Sequence, residues 1–440
     1  MVNTDFKHNV VIVFGTKILL LLVRTLISIV IARVLGADGK GVFTTVLTLA
    51  GTFVSVFSFG FTESVTYFIA QNKLKENYLQ SILLISVSLV FLSLIILYFV
   101  EPIIQKNILS GIPPTLINYV YLFIFFNLFN NLFSSFLKGR KEFAISNYLS
   151  IFVSVFRLAL MATVAVFHEA DVQMFIGISL IVSVTNSLYA YYYLSTKSDS
   201  IFSIANFKAP YISLFNYGIK SHVGSLLSQL EYQTDIFIML IFLSPEAIGY
   251  YSISYGTALI IRYITNSLNN VLFPELSSRT SKVDAITVNN KVIRANIFLN
   301  GIASIMIIMI GYPLIYYGYG IEFKISYLIM IILIPGIWID SVFRILLTWY
   351  KGINQPQISS LFTTFSLIIN VILFYYFVPV YGIYGAGIAT LATYIIRTIG
   401  IVYYYYHNEN IDISEVLFIK RHEISIIYSQ LMKYKETLSS

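Results

Sequence analysis

Apolar runs of helix-spanning length, bounded by charged, Pro, Asn and Gly clusters, recur along nearly the whole of this 440-residue chain, and they limit its fold more than any other feature. A helix needs about 20 such residues to cross a hydrocarbon core of roughly 30 Å. Backbone polar groups cannot be left bare in lipid, so each run reads as a helix and the fold class as all-α. Twelve runs are expected near 10–34, 42–69, 79–100, 115–137, 146–167, 173–194, 213–242, 247–272, 295–317, 326–349, 358–378 and 385–406. Composition agrees: 57% of residues are hydrophobic and 11% charged, against roughly 45–50% and about 25% in soluble domains. The first run continues from Val10 to Val34 with no small-residue cleavage site, so it reads as a retained span and not a removable signal peptide. The chain has no Cys, which removes disulfides, thiolate metal sites and cysteine nucleophiles. No metal and no cofactor are expected.

Of the net +7 charge, distribution says more than sum. With a cytoplasmic N-terminus, the inside segments hold seventeen Lys and Arg residues and the outside segments only Arg33, Lys40, Lys106 and Lys324. The excess of positive charge on one side therefore places both termini in the cytoplasm. The connections fall into an N-terminal six-helix bundle over 1–194, a cytoplasmic linker over 195–212, a C-terminal six-helix bundle over 213–406 and a cytoplasmic tail over 407–440. In the tail, Ile413, Val416, Leu417, Ile424, Ile427, Tyr428 and Leu431 repeat at helical spacing among Lys420, Arg421, Lys433 and Lys435. That pattern predicts an amphipathic helix on the membrane surface, with anionic lipid or a partner protein as its contact.

The segment from Lys138-Gly139 to Ser146 recurs as Lys351-Gly352 to Ser359, an offset of 213 residues, each time between a fourth and a fifth span. A repeat of six spans keeps both halves in the same orientation, so a pseudo-two-fold axis along the membrane normal is expected, with the substrate path between the halves.

Ala32-Arg33-Val34-Leu35-Gly36-Ala37-Asp38-Gly39-Lys40-Gly41-Val42-Phe43, then Phe59-Gly60-Phe61-Thr62-Glu63, and the two Lys-Gly turns carry a resemblance. Over roughly residues 5 to 410 the chain resembles polysaccharide exporters of the multidrug/oligosaccharidyl-lipid/polysaccharide superfamily, and looks most like the Wzx-type O-antigen flippases. The resemblance implies two bundles that turn over an undecaprenyl-diphosphate-linked oligosaccharide by alternating access in a bacterial inner membrane. It implies membrane lipids as surroundings, a polysaccharide polymerase and a chain-length regulator as candidate partners, and no nucleic acid. Lipid II flippases of the superfamily look similar but usually have two further helices, which this chain lacks.

Seven basic residues fall within spans: Lys17, Arg24, Arg157, Lys220, Arg262, Arg344 and Arg397. A charge at the bilayer centre costs at least about 2.5–3.5 kcal/mol, so these groups should face a cavity. Arg24, Arg157 and Arg397 lie deepest, and Lys17 and Arg24, two helical turns apart, share a face of the first span. Guanidinium groups offer planar, always charged donors to phosphate oxygens. Lys17, Arg24, Arg157, Arg262 and Arg397 are therefore expected to line a cationic cavity; the competing reading is structural pairing. Asp340 and Arg344, spaced i,i+4, are expected to form an internal pair or a cavity wall, with Asn127 and Asn131 as their repeat mates. Glu231 and Asp235, also i,i+4, either couple transport to H⁺ or Na⁺ or pair with an Arg of the other bundle, Arg24 above all. Pro335-Gly336 permits a hinge in the tenth span.

Two other functions compete. A membrane polymerase or ligase acting on lipid-linked glycan needs a sizeable outer loop, whereas the longest here runs from about Glu101 to Pro114 and assembles no acid/base or metal constellation. A multidrug exporter of the same superfamily would favour an acidic cavity, and seven intramembrane bases against four acids oppose that.

Overall fold

The computed structural model describes residues 4–71, 79–167, 170–197, 211–279 and 281–409. All regular structure among them is helical: α1 (Thr4–Phe57), α2 (Phe61–Ala70), α3 (Leu79–Asn107), α4 (Ile117–Gly139), α5 (Phe143–Phe167), α6 (Val172–Lys197), α7 (Tyr211–Phe242), α8 (Pro245–Ala258), α9 (Arg262–Ser278), α10 (Lys282–Pro313), α11 (Lys324–Gly352) and α12 (Pro356–Glu409). Eight helical stretches are long and apolar enough to cross a membrane by length and composition. The chain is a multi-pass membrane protein.

Two of these helices, α1 and α12, each run to 54 residues, about 80 Å if straight and far more than one bilayer. Each is in fact two arms joined at a glycine of positive φ, Gly36 (66°) and Gly382 (57°). In α12 the arms fold back: a Cβ on Gly385 would lie 2.1 Å from the carbonyl oxygen of Phe377, eight residues earlier. In a straight helix those positions stand about 12 Å apart. All twelve expected spans fall on helix, with 10–34 and most of 42–69 on the two arms of α1, and 358–378 and 385–406 on those of α12.

The chain divides into two compact units. Among the described residues the first holds those up to 253 and takes back 314–326; the second holds 254–313 and 327–409. The division falls within α8. Inside the first unit α7 is tied to α2, where Ser64 Oγ donates to the carbonyl of Leu214 at 2.6 Å. The start of α8 lies against the second arm of α1 so closely that a Cβ on Gly41 would sit 1.7 Å from the Pro245 carbonyl oxygen. The returning segment clasps the Gly36 turn. Arg33 donates to the carbonyls of Gly318, at 2.8 Å, and Tyr317, while a Glu322 carboxylate oxygen accepts from the Ala37 N–H at 2.8 Å. A cation on carbonyls ending one helical piece and an anion on an N–H beginning the next are the pairings that helix dipoles favour.

The repeated Lys-Gly segments form the same turn 213 residues apart. Lys141 and Asn354 both adopt φ 61°, with Glu142 N–H on the Leu137 carbonyl at 2.9 Å in one and Gln355 N–H on the Tyr350 carbonyl at 2.7 Å in the other. This six-to-one bond around a left-handed residue is the Schellman ending of a helix. The preceding glycines also serve alike: a Cβ on Gly139 would meet Ile69 at 2.8 Å, and one on Gly352 would meet Leu276 at 2.7 Å. The second and eighth spans thus pass their fourth and tenth counterparts in the same way. The hinge expected at Pro335-Gly336 is not a break, since α11 runs unbroken through both residues. Gly336 instead admits Leu391 of α12, whose Cα would lie 3.1 Å from an added Cβ. The expected linker 195–212 is described only at its ends, and the expected tail 407–440 only as far as Glu409; the rest of both lies outside the described residues.

Candidate functional site

In the first unit α1, α4, α5 and α6 enclose a hollow of about 320 Å³ lined by Arg24, Asn127, Asn130, Asn131, Ser134 and Arg157, among others. Asn127, Asn131 and Ser134 form a stripe at i, i+4, i+7, one face of α4. Two of the asparagines around it are held from behind by α6: Asn127 Oδ1 accepts from Ser183 Oγ at 3.0 Å, and Asn130 Oδ1 accepts from Ser187 Oγ at 2.9 Å. The cations are answered differently. Among the described residues no carboxylate pairs with Arg24 or Arg157, the two guanidinium charges repel each other, and Arg157 Nε is buried without a hydrogen-bond partner. Uncompensated charge at membrane depth persists where it faces water or an anion, not acyl chains.

The same α4 stripe also borders a second hollow of the first unit, about 770 Å³, between α1, α2, α4 and α7. Most of its described lining residues carry a hydroxyl or amide group, although more of the wall is apolar than polar, and among them Glu63 and Lys138 are charged.

In the second unit, Asp340 of α11 is fully buried and holds three arginines. Arg344 Nε donates to it at 2.8 Å and Arg262 at 3.2 Å, and Arg397 donates to its other oxygen. The cluster extends through Arg397 to Ser366 Oγ at 2.8 Å and through Arg262 to the Tyr394 hydroxyl at 2.8 Å and the Tyr255 hydroxyl at 3.2 Å. Tyr394 and Phe343 also lay their rings against the Arg397 guanidinium, at 4.2 and 4.6 Å, contacts that favour a cation out of water. Asp340 is the repeat mate of Asn127, so both units use this level of their fourth helix to tie the sixth. In the second, however, the tie is ionic.

The expected cationic set therefore divides. Arg24 and Arg157 share a hollow with Asn127 and Asn131; Arg262 and Arg397 join Arg344 on Asp340; and Lys17, exposed on α1, lines neither hollow described above. Glu231 and Asp235 are both buried on α7, where Asp235 accepts from the Tyr251 hydroxyl at 3.3 Å. Side-chain surroundings of Lys220 lie outside the description. Sequence reasoning missed Tyr255, Tyr394 and Ser366 around Asp340, and in the larger hollow it named Asn127 and Asn131 but not the facing Tyr67, Tyr217 and Gln229. The dense Ser, Thr and Asn content of the second and fourth spans was the available signal for that hollow.

Comparison with known proteins agrees with this architecture. Among solved structures, a MurJ lipid II flippase in an inward closed conformation aligns with 96% of this chain and 92% of its own, at TM-score 0.75 and 16% identity. An inward-facing multidrug resistance MATE transporter of the MOP superfamily aligns with 88% and 94%, at TM-score 0.71 and 15% identity. These likenesses show the fold. In sequence, a Shigella flexneri protein that bears the name of an O-antigen transporter is 25% identical over 408 residues, 87% of this chain and 93% of the relative. A Haloferax volcanii protein named as a flippase of low-salt glycan biosynthesis is 27% identical over 192 residues, 42% of this chain and 40% of its own. The family described as polysaccharide biosynthesis protein matches residues 6–280, more than half of the chain, and to that family the chain belongs.

Proposed function

We propose that this protein is a flippase, not an enzyme, that carries an undecaprenyl-diphosphate-linked oligosaccharide from the cytoplasmic to the periplasmic leaflet of a bacterial inner membrane for surface polysaccharide assembly. The observation that carries the reading is the pair Arg24 and Arg157, facing one hollow with no carboxylate to answer them among the described residues. A diphosphate leaving water needs cations, and planar guanidinium donors suit its oxygens. The names of the two sequence relatives support the same cargo class. A cationic drug would be repelled from the same hollow, which disfavours the multidrug reading.

Within this proposal two six-helix bundles work by alternating access, both termini are cytoplasmic, and Glu231 and Asp235 serve ion coupling. A polymerase and a chain-length regulator act next in assembly. The test is clean deletion of the gene in a host with no second flippase. Lipid-linked repeat units should accumulate on the cytoplasmic side and surface glycan should disappear; intact surface glycan would refute the proposal. Complementation with Arg157→Gln should fail although the protein reaches the membrane.

A further inference from the structure

The larger hollow of the first unit differs chemically from its cationic neighbour. At about 770 Å³ it falls in the range of ligand-binding pockets, roughly 300–1,000 Å³. Thr62, Thr66, Tyr67, Asn131, Tyr217 and Gln229 stand on its walls. The hollow runs from Gly51 and Asn127, within the spans, to Ala70 and Lys138 at their ends, and hydroxyl and amide groups so placed call for a hydrogen-bonding occupant. On these walls Tyr67 and Tyr217 stack on each other with ring centroids 4.2 Å apart, each covering one face of the other and leaving the outer faces and hydroxyls to meet a ligand. Alternating hydroxyls around an apolar ring face is the pattern of a pyranose sugar, and aromatic residues with one apolar and one polar end meet such ligands well. Charge is balanced here. Glu63, which accepts from Thr62 Oγ1 at 2.7 Å, and Lys138 both border the hollow, so among its described lining residues one anion stands against one cation, where the neighbouring hollow carries two cations.

Asn127, Asn131 and Ser134 border both hollows. A ligand anionic at one end and polyhydroxylated at the other can therefore reach across a single face of α4. We infer that the larger hollow seats the first sugars of the lipid-linked glycan, with Tyr67 and Gln229 determining which sugar is accepted, while Arg24 and Arg157 hold the diphosphate. The inference rests on the flippase reading for its ligand, and it adds a glycan seat that a diphosphate site alone does not require.

The test uses the full chain in lipid nanodiscs and three probes: undecaprenyl diphosphate bare, carrying N-acetylglucosamine, or carrying galactose. At least one sugar-bearing probe should bind about fivefold or more tighter than the bare carrier, the gain expected from one or two neutral hydrogen bonds. Tyr67→Ala and Gln229→Ala should each remove most of that gain and leave bare-carrier binding unchanged. Gln229 is exposed to the hollow, so its variant decides the matter if Tyr67→Ala fails to fold. Equal binding of all three probes to the wild-type protein, or a gain that survives both variants, overturns the glycan seat. The diphosphate reading fails separately, if Arg157→Gln binds all three probes as the wild type does.

Discussion

Asp340 and Arg157 are both charged groups at membrane depth, yet they owe their places to opposite causes. Asp340 is buried completely, and three guanidinium groups surround it. Removing one member of a buried ionic cluster leaves its partners uncompensated, a loss of about 3–5 kcal/mol. Asp340→Asn should accordingly lower the melting temperature sharply and reduce the amount of protein in the membrane. Arg344, 28% exposed, sits at the edge of the cluster, and Arg344→Gln should cost only about 1 kcal/mol. For Arg157 the sign reverses. Among the described residues its charge has no carboxylate partner, so Arg157→Leu should leave thermal stability unchanged or raised while surface glycan production falls at least about tenfold, the exchange seen where strain serves function. A variant that melts early would show Arg157 to be structural.

At the scale of the helix, glycine decides where the chain doubles back. A Cβ at Gly382 would meet nothing within 4 Å, so Gly382→Ala bears only the strain of a backbone conformation that L residues rarely adopt (φ 57°, ψ −137°), about 1–3 kcal/mol. At Gly385 the Cβ would stand 2.1 Å from the Phe377 carbonyl oxygen, and the arms of α12 would have to part. Gly385→Ala should therefore depress the melting temperature more than Gly382→Ala, although only Gly382 has positive φ. The Schellman turns at Lys141 and Asn354 are visible in the chain as a repeated Lys-Gly pair, because a helix end of this kind depends on residues within one turn of each other. The clasp of Arg33 and Glu322 on the Gly36 turn joins positions 285 residues apart and left no such mark.

For the molecule as a whole, the absence of native Cys makes single-cysteine labelling free of background. Lys141→Cys and Asn354→Cys lie on exposed turns and should react with a membrane-impermeant thiol reagent from the cytoplasmic side alone. Asp38→Cys and Tyr381→Cys, beside the glycines at which α1 and α12 break, should react from the periplasmic side alone. Labelling of Lys141→Cys and Asn354→Cys from opposite sides would contradict a repeat in the same orientation.

Hydropathy, charge bias and turn signals are sums over neighbouring residues, and from them the all-α class, the twelve runs and the repeated turn are legible in the sequence itself. The i,i+4 pairing of Asp340 with Arg344 belongs to the same local kind. Tertiary structure alone separated the intramembrane cations into two groups, because the partners of Asp340 include Arg397, 57 residues away, and Arg262, 78 residues away. Helical spacing put Lys17 and Arg24 on one face, but which part of that face meets a hollow depends on how α4 and α5 pack against α1. A charge's partner is set by distance in space, and no local pattern encodes it.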